Sequence, residues 1–169
     1  MKKNLILIET NKIKISKQYE VKDINNGYLF QEKNNIKIKK TDLIKSGKIV
    51  ASKKIMEDML FALKICKHAK SNAIVLAKNN TVLGIGSGQT SRIGATKNSL
   101  FLVKNKKKIG FVAASDAFFP FTDSVKTLIK NNCKAIVQPS GSINDKKIVN
   151  LAIKNKLTLY FSKYRFFRH

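Results

Sequence analysis

An α/β domain, built on a largely parallel sheet with helices on both faces and preceded by a small β extension, is what the residue pattern implies. Two observations lead there. From residue 52 onward, short apolar runs alternate with longer segments whose apolar residues fall at three- and four-residue steps. Runs of the first kind suit buried strands and segments of the second kind suit amphipathic helices. Alternating the two implies right-handed crossovers and a sheet buried on both faces. Before residue 50 the texture differs, with single apolar residues set between Lys and polar turns. The expected division is therefore 1–50 for the extension and 51–169 for the main domain.

The elements follow in order. Leu5 to Ile8 is an apolar run, and Ile13 and Ile15, like Ile36 and Ile38, alternate with Lys as half-exposed strands do. Asn25-Asn26-Gly27 signals a turn before Tyr28-Leu29-Phe30. Nothing in this region offers catalytic chemistry. Ser52 can cap a helix running to about His68, because Met56, Leu60, Leu63 and Cys66 form one stripe. A strand from Ala73 to Ala77, a turn at Asn79-Asn80 and a strand from Thr81 to Ile85 come next. The order is then helix 91–103, strand 109–114, helix 124–131, strand 135–138, helix 145–155 and strand 157–161.

Composition narrows the function classes. A chain of 169 residues with 43% hydrophobic content forms one domain, or two small ones, and can bury a real core. No run is long enough to span a membrane. The apolar start is cut by Glu9 and lacks a small-residue cleavage site, which makes it a poor secretion signal. Cys66 and Cys133 sit far apart in apolar settings, as reduced core thiols of a cytoplasmic protein do. The net charge is +24, yet Arg occurs only at 92, 165 and 168, so that 31 of the 34 basic residues are Lys. They are spread along the chain among many Asn and Ile, as drift toward A/T-rich codons would leave them. A nucleic-acid partner would favour Arg and a basic face. It is not the expected partner, although loose, salt-sensitive polyanion binding follows from the charge.

Three strand-end loops carry the unusual residues. In open α/β sheets, ligands sit beyond the carboxyl ends of strands. Gly84 to Arg92 is a glycine-rich junction that is neither a Walker loop nor the dinucleotide fingerprint, because Gln89 stands where the third Gly belongs. Such glycines allow close backbone approach to a ligand, or equally close packing of helix on strand. Ser115 to Asp123 crowds three Phe and a Pro between two Asp. Aromatic faces there can stack on a flat heterocycle while a carboxylate accepts from its ring N–H groups. The alternative is that the Phe residues are core and Thr122 or Asp123 caps the next helix. The third loop is Pro139-Ser140-Gly141-Ser142. His68, near a helix end, suits a structural role better than catalysis. The tail, Tyr164-Arg165-Phe166-Phe167-Arg168-His169, holds two of the three Arg, the side chain for forked phosphate contacts. Its aromatics argue for docking over fraying.

Together, Lys67-His68-Ala69-Lys70-Ser71-Asn72-Ala73, Gly84 to Arg92, Ser115 to Phe121 with Asp123, Gln138 to Ser142, and Arg165 to His169 closely resemble one family. It is the bifunctional purine biosynthesis family, in its AICAR transformylase part. The resemblance implies formyl transfer from 10-formyltetrahydrofolate to the 5-amino group of 5-aminoimidazole-4-carboxamide ribonucleotide (AICAR). It implies a cytidine-deaminase-like three-layer fold without the deaminase zinc, and a homodimer with a shared site. By motif position it implies that Asn72 orients the reacting groups, Phe118 packs on the base and Arg165 meets the phosphate. It further implies a folate site of Arg92, Ile93, Pro120, Phe121, Asp123 and Ser142, with His169 near the reacting centre. The family's Lys-His-x-x-Pro-Ala-Gly-type motif, which carries acid–base work, has no counterpart here, and Lys67-His68 is not that pair. Ser87, Thr90, Gly94 and Asn144 also depart from the family's usual residues. The expectation is a C-terminal portion of the longer enzyme, without the cyclohydrolase part and inactive unless a separately encoded half supplies the Lys-His pair. The alternatives are an inactive remnant of that enzyme and a basic nucleic-acid-binding module.

Overall fold

The structure is a computed structural model and describes residues 19–168, with the side chain of Lys106 outside the description. The strands expected at Leu5 to Ile8 and around Ile13 and Ile15, and the near-site residue His169, lie outside the described residues. The chain divides into two compact units between Ile36 and Lys37, where composition placed a division between 50 and 51.

The first unit is a hairpin. Strands β1 (Tyr19–Ile24) and β2 (Gly27–Glu32) pair antiparallel in a register that sets Val21 opposite Phe30. The turn falls at Asn25-Asn26, and Asn26 takes the left-handed conformation that Asn tolerates (φ 63). The half-exposed strand expected around Ile36 and Ile38 does not form, because residues 33–39 belong to no strand and Ile38 is buried as a single anchor.

The second unit opens with a 3-10 turn (Lys40–Asp42) and strand β3 (Leu43–Lys45). Helix α1 (Lys53–Cys66) follows, with Ser52 accepting from the Ile55 N–H as its N-cap. Then come β4 (Ile74–Lys78), β5 (Thr81–Gly86), α2 (Arg92–Phe101), the single turn α3 (Lys106–Ile109) and β6 (Phe111–Ser115). The chain continues through α4 (Asp123–Lys130), β7 (Cys133–Pro139), α5 (Asp145–Lys154) and β8 (Thr158–Ser162).

The sheet order is β3-β8-β7-β6-β4-β5, and the sheet is mixed where a largely parallel one was expected. Only β6-β7 and β7-β8 pair parallel. These are the strands joined by the helical crossovers α4 and α5, which force a common direction. The β4-β5 pair is a two-residue hairpin whose Asn79 and Asn80 both have φ 53, so it must be antiparallel. β4 also runs against β6, and β3 against β8. Helix α2 still links two strands running one way, β5 and β6, but β4 lies between them.

Alternation along the strands splits the core in two. Val75, Ala77, Val112, Ala114 and Val137 pack against Met59, Leu63 and Cys66 of α1. Ile74, Leu76, Ala113 and Ile136 face the other way, against residues of α2, α4 and α5. Cys66 and Cys133 fall in different halves and both are free and buried. Burial pushes the Cys133 thiol up to about 12. It also raises Cys66 well above the usual thiol range, with the charge of Asp116 adding to the effect and Arg92 opposing it. Gly84 and Gly86 serve packing, since an added Cβ would lie 2.0 Å from the Ser99 carbonyl oxygen and 1.9 Å from that of Ala95. Among the described residues, no helix is long and apolar enough to cross a membrane.

Candidate functional site

The carboxyl ends of β5, β6, β7 and β8 and the start of β4 meet at one edge of the sheet. A cavity of about 490 Å³ opens there, within the range of small-molecule sites. The β5–α2 junction gives it Thr90, Ser91, Arg92 and Ile93, and the segment before β4 gives it Asn72. The β6–α4 loop supplies Ala117, Phe118, Pro120 and Phe121, the start of α4 supplies Asp123, and the tail supplies Phe167.

The wall stands on a buried polar knot. Asp116 is fully buried. One carboxylate oxygen accepts from the Ala73 N–H at 3.0 Å and from the Arg92 guanidinium, and the other accepts from the Ser71 hydroxyl at 2.6 Å. Arg92 also donates to the Ala73 carbonyl at 3.2 Å. The tail is tied into the same knot. The Phe166 N–H donates to the Asp116 carbonyl at 2.9 Å, and the Arg168 N–H donates to the Ser71 hydroxyl at 3.0 Å. Arg92 therefore lines the cavity while its charge is spent on Asp116. His68 is exposed, and its carbonyl accepts from Arg168 at 3.0 Å.

The Asn72 amide donates to the Gln89 carbonyl at 2.8 Å, which fixes the plane of the amide at the cavity wall. The three Phe of the β6–α4 loop divide their roles. Phe119 is fully buried core, Phe118 is half-buried on the cavity, and Phe121 is 64% exposed at its rim. Stacking and core packing, the two readings left open for this loop, apply to different rings. Asp123 begins α4, accepts from the Ser124 N–H at 2.7 Å and also lines the cavity, whereas Thr122 makes no capping bond through its side chain.

Arg165 lies outside the lining, but its guanidinium carbon sits 5.0 Å from the Phe118 ring centroid, in cation–π range. Ser142 does not line the cavity. Its hydroxyl accepts from the Asn144 N–H at 3.1 Å within its own loop. The structure thus gathers Asn72, Arg92, Ile93, Phe118, Pro120, Phe121 and Asp123 at one cavity, sets Arg165 against it, and leaves Ser142 one loop away. Sequence reasoning passed over Phe167, Thr90, Ser91 and Ala117. Phe167 had a signal. In an extended tail, neighbouring side chains point to opposite sides, so with Phe166 in the core, Phe167 faces out.

The fold and the site define an α/β protein with an aromatic-walled small-molecule cavity at one sheet edge. The chain belongs to the AICARFT/IMPCHase bienzyme family, whose model matches residues 1–101. It is 42% identical, over 99% of its own length and 33% of the relative's, to the bifunctional purine biosynthesis protein PurH of Fusobacterium nucleatum subsp. nucleatum. The PurH proteins of a Thermoanaerobacter species (42% identity) and of Buchnera aphidicola subsp. Schizaphis graminum (40%) are likewise matched over 99% of this chain and 33% of their own lengths. The chain therefore spans about a third of the length of the curated relatives it matches. Among solved structures, Acinetobacter baumannii RibD, form 2, is similar at TM-score 0.39 and 13% identity, over 64% of this chain and 34% of that one.

Proposed function

We propose that the chain is the C-terminal, folate-binding portion of an AICAR formyltransferase, with a cytidine-deaminase-like three-layer fold and a cytoplasmic place in purine synthesis. The reaction moves a formyl group from 10-formyltetrahydrofolate, the co-substrate, to the 5-amino group of AICAR. The observation that carries this reading is the gathering of Asn72, Phe118 and Asp123 at one cavity, with Arg165 stacked on Phe118. That attacking amine is weak, because its electrons are drawn into the ring and the carboxamide. Catalysis therefore needs positioning, proton removal and stabilisation of a tetrahedral oxyanion.

In this reading Phe118 packs on the AICAR base and Arg165 meets its phosphate. Asn72, held by Gln89, orients the carboxamide and formyl groups as the catalytic residue. Asp123 accepts from the pterin-type ring, with Ile93, Pro120 and Phe121 walling it, Ser142 behind, and Arg92 anchoring the floor through Asp116. The Lys-His pair comes from a separate half of the enzyme, and the working unit is a homodimer with a shared site. The gathering of Asn72, Phe118 and Asp123 at one cavity favours an enzyme portion over an inactive remnant.

The test is calorimetry of the purified chain with 10-formyltetrahydrofolate and with AICAR, followed by an assay for formyl transfer. Binding without turnover is the expected result. Absence of binding to both compounds overturns the reading, and turnover by the chain alone refutes the need for a second half.

A further inference from the structure

We infer that two side-chain amides of the 138–144 stretch, Gln138 and Asn144, are positioning residues that set the width of the cavity for a flat heterocycle. Gln138 is fully buried at the end of β7. Its Oε1 accepts from the Phe119 N–H at 3.1 Å. That N–H can only donate, so the orientation of the amide is decided. The amide Nε2 is then buried with no partner among the described residues. A Leu or Met would remove that stranded amide but leave the buried Phe119 N–H without its acceptor, so the cost of one unpaired donor is borne either way. What Gln138 adds over an apolar residue is the hold on the Phe119 backbone.

Asn144 makes a parallel departure. It occupies the N-cap of α5, where Asn usually holds a helix N–H, but its side chain makes no capping bond. Its Nδ2 donates instead across to the Pro120 carbonyl at 2.6 Å. Asp145 takes the Gly141 and Ser142 N–H groups, at 2.7 and 3.2 Å. Two consecutive backbone positions of the β6–α4 loop are thus pinned, one from the end of β7 and one from the loop that follows it. They are the two positions between the rings of Phe118 and Phe121. With Phe119 locked into the core, the pinned backbone fixes how far those rings stand from Asn72 and Ile93 across the cavity.

The part of this inference that concerns affinity rests on the proposed function, while the part that concerns geometry does not. Asn144→Asp keeps the size of the side chain and removes the donor. The control is Asn155→Asp, since Asn155 makes a similar 2.8 Å bond to the Leu151 carbonyl at the far end of α5. Protein labelled with 4-fluorophenylalanine is observed by fluorine NMR, with Phe118 and Phe121 assigned by substitution. Asn144→Asp is expected to shift or broaden both signals and to weaken 10-formyltetrahydrofolate binding about fivefold, the scale of one lost hydrogen bond. Asn155→Asp is expected to do neither. Gln138→Met is expected to speed exchange of the Phe119 amide about tenfold. If that buried variant does not fold, Asn144→Asp decides alone. Fluorine signals and affinity that stay at wild-type values in Asn144→Asp overturn the inference. If the wild-type chain binds neither 10-formyltetrahydrofolate nor AICAR, the proposed function fails and the fluorine signals still decide the inference: moved signals uphold it and unmoved signals overturn it.

Discussion

Asp116 and Asp123 stand seven positions apart, one just after β6 and the other at the start of α4, yet they belong to regions with opposite economies. Asp116 is wholly buried in the knot, where an Arg, a Ser and a backbone N–H converge on it. Asp123 is exposed on the cavity and holds one N–H from its own helix. The knot maintains the shape of the edge and the cavity is free to meet a ligand. Residue type does not separate the two carboxylates, but burial and the number of donors aimed at each one do.

Variants can test this division, and the largest effect belongs to the knot. Asp116→Ala leaves the Arg92 charge buried without its partner and strands the Ser71 hydroxyl. It should cost about 3–5 kcal/mol in denaturant unfolding, and a loss under 1 kcal/mol would show that the knot is not what holds this edge. Next comes Arg165→Ala on the cavity side. It should weaken AICAR binding by about 1.5–3 kcal/mol, the scale of a charge-assisted contact, with unfolding unchanged because Arg165 is exposed. An unchanged dissociation constant would remove Arg165 from the site.

Smaller still is Asp123→Asn. It should lower 10-formyltetrahydrofolate affinity by about 1 kcal/mol and move unfolding by no more than about 0.5 kcal/mol, as at an exposed position. An equal loss in both measurements would make Asp123 a cap and no more. The smallest change is expected at the thiols. Burial raises both pKa values, so the folded state prefers the neutral thiol. That preference contributes fully below the ordinary thiol pKa of 9.0 and, for Cys133, is lost as pH rises through about 12. Iodoacetamide at pH 8 should therefore leave both cysteines unmodified until denaturant is added. Rapid labelling would place a thiol at the surface.

Much of the architecture was legible because it is written in local periodicity. Ser52 and the stripe through Met56 and Leu63 mark α1, and Asn79-Asn80 marks the β4–β5 hairpin. The aromatic loop and the docked tail could be picked out because Phe, Pro and Arg are sparse elsewhere at strand ends. Strand β3 was not legible, because three residues are too few to show a period, and the sheet, not local propensity, recruits them. Nor was the mixed direction of the sheet. Alternation of strand and helix says which strands share a crossover, but not which strand slips between them.

The residues alone settled most of the elements after residue 52, the Ser52 cap and the set of loops that would carry unusual chemistry, since these depend on neighbours three or four positions away. Tertiary structure decided that Arg92 spends its charge inward on Asp116, that Phe119 is core while Phe118 and Phe121 are wall, and that Asn144 abandons its helix to hold Pro120. Each of those outcomes depends on a partner about 19 or more residues away in the chain, and no local pattern specifies which distant donor will reach which acceptor once both are withdrawn from water.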